Sequence, residues 1–321
     1  MTSQGRVLAD TIRAPWQLAA PWGARGYLSA LDGWMHWVEF GADATAGPPL
    51  VFVHGLGGSH LNWALIGPQL AVGRRAMALD LRGFGLTPGD RRTATIWGNT
   101  ALLQQFIEHI AGEPAVLVGN SMGGMLSILQ AHTHPDSVAG LVLIAPVLPA
   151  RVRRPDLSAA RKFWFSAVPG LRKASARALR DGVPPRHLAQ RVMDLYCSDP
   201  VSADPEIIDA ATTLSELHRA AGGADEALLV ATRSLMNVAS QPKRYEAVMA
   251  ALGAPVLLIG GTRDPVVPLA SIRAAAASNP GWETVIMENV GHTPQLEKPQ
   301  ALVPIVRDWL DRHFPSRDAW E

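Results

Sequence analysis

Six short apolar runs punctuate the chain, each of the length expected for a strand buried on both faces. PLVFVHG (49–55), RAMALDLRG (75–83), PAVLVGNS (114–121), VAGLVLIAP (138–146), PVLLIGGTRD (255–264) and ETVIMENVGH (283–292) each end in glycine, proline or a polar loop. Ahead of them, GYLSALDG and WMHWVEFGA (26–42) read as two further strands joined around Asp32-Gly33, a hairpin turn signal. Between most of the runs the apolar residues recur with a helical period. TIWGNTALLQQFIEHIAG (95–112) stops on glycine, SMGGMLSILQAHTH (121–134) stops before Pro135, and QALVPIVRDWLDRHF (300–314) follows the last run. Strand and helix alternating in this way predict βαβ units. The expected fold class is α/β, with a mostly parallel eight-stranded sheet flanked by helices.

The alternation breaks between about 148 and 240. That stretch has no strand-like run, only helical segments separated by prolines. It reads as a helical insertion (148–240) that caps a core built from 1–147 and 241–321. From Arg151 to Arg191 it carries eleven Lys or Arg against two acids, Asp156 and Asp181, with Phe163-Trp164-Phe165 near the centre. A solvated helical face with its aromatic residues packed on the sheet accounts for this. The same basic surface is a candidate for weak contact with anionic lipid, or for admitting an anionic substrate.

Composition narrows the function classes. The 321 residues are 48% hydrophobic and 18% charged, enough to build a core and unlike a disordered chain. A net charge of +1 argues against a surface made for nucleic acid. The lone Cys197 permits no intrachain disulfide and is most simply a packing residue. The first twenty residues hold no apolar run of signal-peptide length, and no window reaches the roughly 18 apolar residues of a membrane span, so a cytoplasmic protein is expected.

Chemistry enters with Gly119-Asn120-Ser121-Met122-Gly123. This G-x-S-x-G pattern follows the strand AVLV and opens a helix. A serine on so sharp a turn leaves no room for side chains two residues away on either side, hence the glycines, and its hydroxyl is lifted to a helix N-terminus. A serine hydroxyl needs a base. His292, just beyond the last apolar run, is expected on the same carboxyl rim of the sheet, where ligands of open parallel sheets gather. His132 and His134, two apart on a helix, point in different directions. His36, His109, His187, His218 and His313 have no motif around them. Asp264, directly after VLLIGG, supplies the acid that orients the imidazole, and the order Ser121, Asp264, His292 fits a triad on this architecture. His54-Gly55-Leu56-Gly57-Gly58 follows another strand. The backbone N–H groups of Leu56 and Met122 are the candidate oxyanion hole. Gly55, Asn120 and Trp63 are further candidates for the substrate pocket. Asp80 and Arg82 read as groups that fix the loop beside the site, and His54 as a loop-shaping residue. No zinc spacing, phosphate loop or dinucleotide fingerprint is present, so neither metal nor cofactor is expected.

HGLGG, DLRGFGLTP, GNSMGG, GTRDPVVP and GHTPQLEKP stand in the order and places typical of the α/β-hydrolase superfamily, and the chain resembles its members with a helical cap over essentially its whole length. The resemblance implies a serine hydrolase that cleaves an apolar carboxylic ester through an acyl-enzyme on Ser121. GNSMGG also resembles the elbow of carbon–carbon bond hydrolases that cleave ring-fission diketones. Those enzymes tend to carry tryptophan directly after the histidine, where this chain has Thr293. Epoxide hydrolases and haloalkane dehalogenases share the capped fold but use an aspartate where Ser121 stands. A ligand-binding receptor on the same scaffold is the alternative from another class. The sequence leaves the oligomeric state open.

Overall fold

A computed structural model describes residues 7–8, 22–41, 47–90, 92–149, 183–199, 204–221 and 224–315. All eight expected strands are present: β2 (Arg25–Ala30), β3 (Trp34–Phe40), β4 (Leu50–Val53), β5 (Ala76–Leu79), β6 (Ala115–Asn120), β7 (Val138–Ile144), β8 (Val256–Gly261) and β9 (Glu283–Met287). A two-residue strand, β1 (Val7–Leu8), adds a ninth at one edge. The order is β1-β2-β3-β5-β4-β6-β7-β8-β9. The first three pairings are antiparallel and the five from β5 to β9 are parallel. At the hairpin, Asp32 (φ 46°) and Gly33 (φ 109°) take left-handed conformations, which is why that dipeptide makes the turn.

The helices are α1 (Gly67–Leu70), α2 (Ile96–Phe106), α3 (Met122–Thr133), α4 (Pro185–Tyr196), α5 (Pro205–Ala221), α6 (Ala224–Ala239), α7 (Pro242–Ala250), α8 (Leu269–Ser278), α9 (Pro294–Glu297) and α10 (Pro299–His313). Helix α2 runs on through one wider turn to Ala111 and ends on Gly112 in the left-handed conformation.

Alternate residues of each central strand leave the sheet on opposite faces. Val51, Val53, Leu117, Leu141, Leu143 and Leu258 pack with Leu102, Phe106, Met125 and Leu129 of α2 and α3. Leu50, Phe52, Val116, Val118, Val142, Ile144, Leu257 and Ile259 pack with Trp63 and with Leu302, Val306 and Trp309 of α10. Both faces are covered, so the strands read as continuous apolar runs rather than as an alternation.

Between β7 and α7 the described residues hold three helices, α4 to α6. A Cβ on Gly57, in the loop after β4, would lie 3.9 Å from Leu228 of α6, and one on Gly83, after β5, would run into Ala227. This layer therefore lies over loops at the carboxyl ends of the strands. Residues 150–182, which include most of the basic stretch, Asp156 and Phe163-Trp164-Phe165, lie outside the described residues. Among the described residues no helix is long and apolar enough to cross a membrane.

Candidate active site

Ser121 sits between the end of β6 and the start of α3 with φ 55° and ψ −115°, a conformation that non-glycine residues seldom adopt. Holding it costs about 1–3 kcal/mol. Sterics around the turn explain its glycines. A Cβ on Gly119 would stand 2.6 Å from the Gly123 carbonyl oxygen, and one on Gly123 would collide with the carbonyl of Val53. The elbow is thus wedged against β4.

The side chains of His292 and Asp264 are nearly fully buried and face one another, Nδ1 to Oδ2, at 2.9 Å. The second carboxylate oxygen accepts the N–H groups of Val266 (2.7 Å) and Val267 (2.9 Å), which fixes the plane of the carboxyl group. Asn120 joins this pair to the serine turn. Its buried side-chain amide donates to the carbonyl oxygens of Ile144 (3.0 Å) and His292 (3.2 Å), so the residue before Ser121 holds the backbone of the histidine loop. Asn120 is therefore a brace between the serine turn and the histidine loop. With Nδ1 of His292 turned to Asp264, Nε2 is the nitrogen left for proton exchange.

Gly55 lies beside the serine: a Cβ there would come 3.2 Å from the Cβ of Ser121. Its carbonyl is held by His54 Nδ1 (2.7 Å) and the Gly58 N–H (3.1 Å). In a trans peptide the N–H of the next residue points the opposite way, so the Leu56 N–H is turned from those partners. His54 Nε2 accepts the Leu81 N–H at 3.0 Å, so the proton sits on Nδ1. Burial pushes this histidine below its ordinary 6.5 and keeps it neutral. It shapes the loop, as expected. Trp63 stands apart from the serine turn. It is fully buried in the core beneath the sheet, stacked on Phe52 at 5.1 Å, because the turn His60–Trp63 directs its ring inward.

Asp80 carries more than its sequence context shows. Its fully buried carboxylate accepts His36 Nδ1 (2.8 Å), His60 Nδ1 (3.0 and 3.1 Å) and the N–H groups of His60 (2.7 Å) and Leu86 (2.8 Å). Burial opposes its ionisation, but His60 and His36 outweigh that and hold it well below the usual carboxylate range. His36, His60 and Asp80 are also the one group of three metal-type ligands within reach of one another among the described residues. Separations of 2.8–3.1 Å and two backbone donors on the carboxylate describe a hydrogen-bonded brace, pinning the hairpin and the turn after the Gly55 loop to β5.

These buried groups make stability fall with acid. Burial holds His36 and His54 below 6.5, so the unfolded chain binds protons there that the folded chain refuses, and stability is lost as pH drops through about 6.5. Asp80, held well below 3.8, extends the loss at lower pH. The melting temperature should decline from pH 7 to 5 and again towards pH 3, and a flat profile over that range would contradict the assignment. Asp80→Asn should cost about 1–3 kcal/mol in denaturant unfolding, because the amide nitrogen would face buried N–H donors that the carboxylate accepts.

A profile described as the Alpha/beta hydrolase family matches residues 50–305, most of the chain, from β4 into α10. The chain belongs to the alpha/beta hydrolase family. Relatives point the same way. A pimeloyl-[acyl-carrier protein] methyl ester esterase of Aromatoleum aromaticum is 29% identical over 81% of this chain and 97% of its own length. A 2-hydroxymuconate semialdehyde hydrolase of a Pseudomonas species is 27% identical over 84% of this chain and 88% of its own. The solved structure of a thermophilic esterase from Thermogutta terrifontis covers 91% of this hydrolase and 99% of that chain, with a TM-score of 0.66 at 24% identity, a likeness of fold. The chain is therefore a hydrolase, with both esterases and a semialdehyde hydrolase among its relatives.

Sequence reasoning missed three groups in and around this hydrolase site: His36 and His60 on Asp80, and Glu297, described below. Glu297 lies within the GHTPQLEKP segment and was open to notice. The two histidines had no such signal, because their common partner is 44 and 20 residues away.

Proposed function

We propose that this hydrolase cleaves a carboxylic ester of a small molecule by way of an acyl-enzyme on Ser121. His292 Nε2 takes the hydroxyl proton as Ser121 Oγ attacks the ester carbonyl, and Asp264 stabilises the imidazolium. The N–H groups of Leu56 and Met122 receive the developing oxyanion, Met122 doing so at the positive end of α3. Collapse expels the alcohol, which takes the proton from His292. The same imidazole then removes a proton from water, whose oxygen displaces Ser121 and releases the acid. His292 passes the proton taken from water to Ser121 Oγ as the acid leaves, so the enzyme is restored and one water is consumed for each ester cleaved.

The observation that carries this reading is the Asp264–His292 pair at 2.9 Å, tied through Asn120 to the strained turn of Ser121. An apolar substrate is supported by Leu228 of α6 standing over Gly57 in the loop beside Ser121. We assign 148–240 as the cap over this pocket and 1–147 with 241–321 as the core. The second reading, carbon–carbon bond cleavage, is favoured by the semialdehyde hydrolase among the relatives.

A screen of p-nitrophenyl esters of increasing acyl length, run beside a ring-fission diketone, separates the two. Turnover of esters with kcat/KM rising with acyl length supports the first. Turnover confined to the diketone supports the second. Labelling of Ser121 by a fluorophosphonate with no turnover of any substrate would overturn both.

A further inference from the structure

Glu297 closes helix α9 and is almost fully buried. Its carboxylate takes donors from two segments distant in sequence. Oε2 accepts the N–H of Gly291 at 2.7 Å, immediately before His292. Oε1 accepts the N–H groups of Ser198 (3.0 Å) and Asp199 (3.2 Å) and lies against the Ser198 hydroxyl, in the chain that leaves helix α4. The two segments also meet directly. The His292 N–H donates to the Tyr196 carbonyl at 2.7 Å, and Cys197 Sγ lies 3.5 Å from the Thr293 hydroxyl. Gly291 is the residue that lets them close: a Cβ there would run into the Tyr196 carbonyl oxygen and stand 2.8 Å from the Ser198 nitrogen.

A buried carboxylate is costly unless donors satisfy it. Here the donors are backbone and hydroxyl groups, one set on the layer over the sheet and one on the loop of the base. We propose that Glu297 is a positioning residue, whose carboxylate clasps the segment after α4 to Gly291 and so fixes where the His292 imidazole stands. The proposal rests on His292 being the base. It adds that the α4 segment and the base move as one, so displacing α4 shifts the imidazole relative to Ser121. Gln at 297 has a single acceptor oxygen, and its amide would meet an N–H on one side, so the clasp opens there.

The experiment compares ester hydrolysis by wild type, Glu297→Gln, Glu297→Asp, Gly291→Ala and His292→Ala across pH. Misplacing a catalytic group by about 1 Å costs on the order of 10²-fold, so kcat of Glu297→Gln should fall by that order with KM little changed. The acid limb of kcat should move to lower pH, because an imidazole loosened from Asp264 holds its proton less tightly. Glu297→Asp should regain part of kcat. Gly291→Ala alters no charge and should move the limb the same way. A limb that moves in Glu297→Gln and stays in Gly291→Ala would assign the effect to charge and overturn the clasp. Wild-type kcat and limb in folded Glu297→Gln would overturn it too. If Glu297→Gln does not fold, Ser198→Ala removes one donor and leaves the carboxylate; a smaller loss with the same shift supports the proposal, and an unchanged profile overturns it. His292→Ala keeps the two readings apart. Should it retain turnover, the base assignment fails; should it be inactive while both Glu297→Gln and Gly291→Ala behave as wild type, only the clasp fails.

Discussion

Ser121→Ala, His292→Ala and the double mutant should each lose about 10⁶ of kcat, with the double no worse than either single, because nucleophile and base act as one unit. Without Oγ the imidazole has no proton to take, and without the imidazole Oγ stays protonated. What remains is the contribution of the oxyanion donors and of binding, roughly 10³–10⁴ over water. Steady-state hydrolysis of an activated ester, with enzyme concentrations raised to reach the residual rate, measures all three. Multiplicative losses would mean that the two side chains serve separate steps and would remove the triad assignment.

Asp264→Asn should reduce kcat by about 10⁴ and do so through the tautomer. The carboxylate oxygen that accepts Val266 and Val267 will be the amide oxygen in the mutant, since only an oxygen can accept those two N–H groups. That orientation points the amide N–H at His292 Nδ1. The imidazole must then accept at Nδ1 and carry its proton on Nε2, where it can no longer take one from Ser121. Folding should be little affected, because the geometry survives. A mutant that keeps wild-type kcat would move the acid elsewhere in the chain.

The fold was legible in the sequence because its sheet is covered on both sides. Strands such as LVFV and AVLV show unbroken apolar runs, and Gly112 and Pro135 mark the helix ends. Val7–Leu8 was too short to leave a pattern, and the alanine-rich α8 shows no apolar stripe to betray it. The candidate triad was legible because each member directly follows an apolar run, and local sequence reports such places well. Side-chain direction is a different matter. Trp63 and Asn120 sit at suggestive positions, yet one turns into the core and the other reaches across to two backbone carbonyls. The Asp80 brace assembles from three remote segments, which no window of sequence contains.

The backbone at Ser121 has one further implication. Its dihedral angles suit glycine, which has no Cβ to resist them, so Ser121→Gly should relax the turn and firm up the folded chain. A stability-driven redesign would thus be drawn to the very substitution that removes the proposed nucleophile, and on that proposal the strained serine is carried for turnover at the expense of stability.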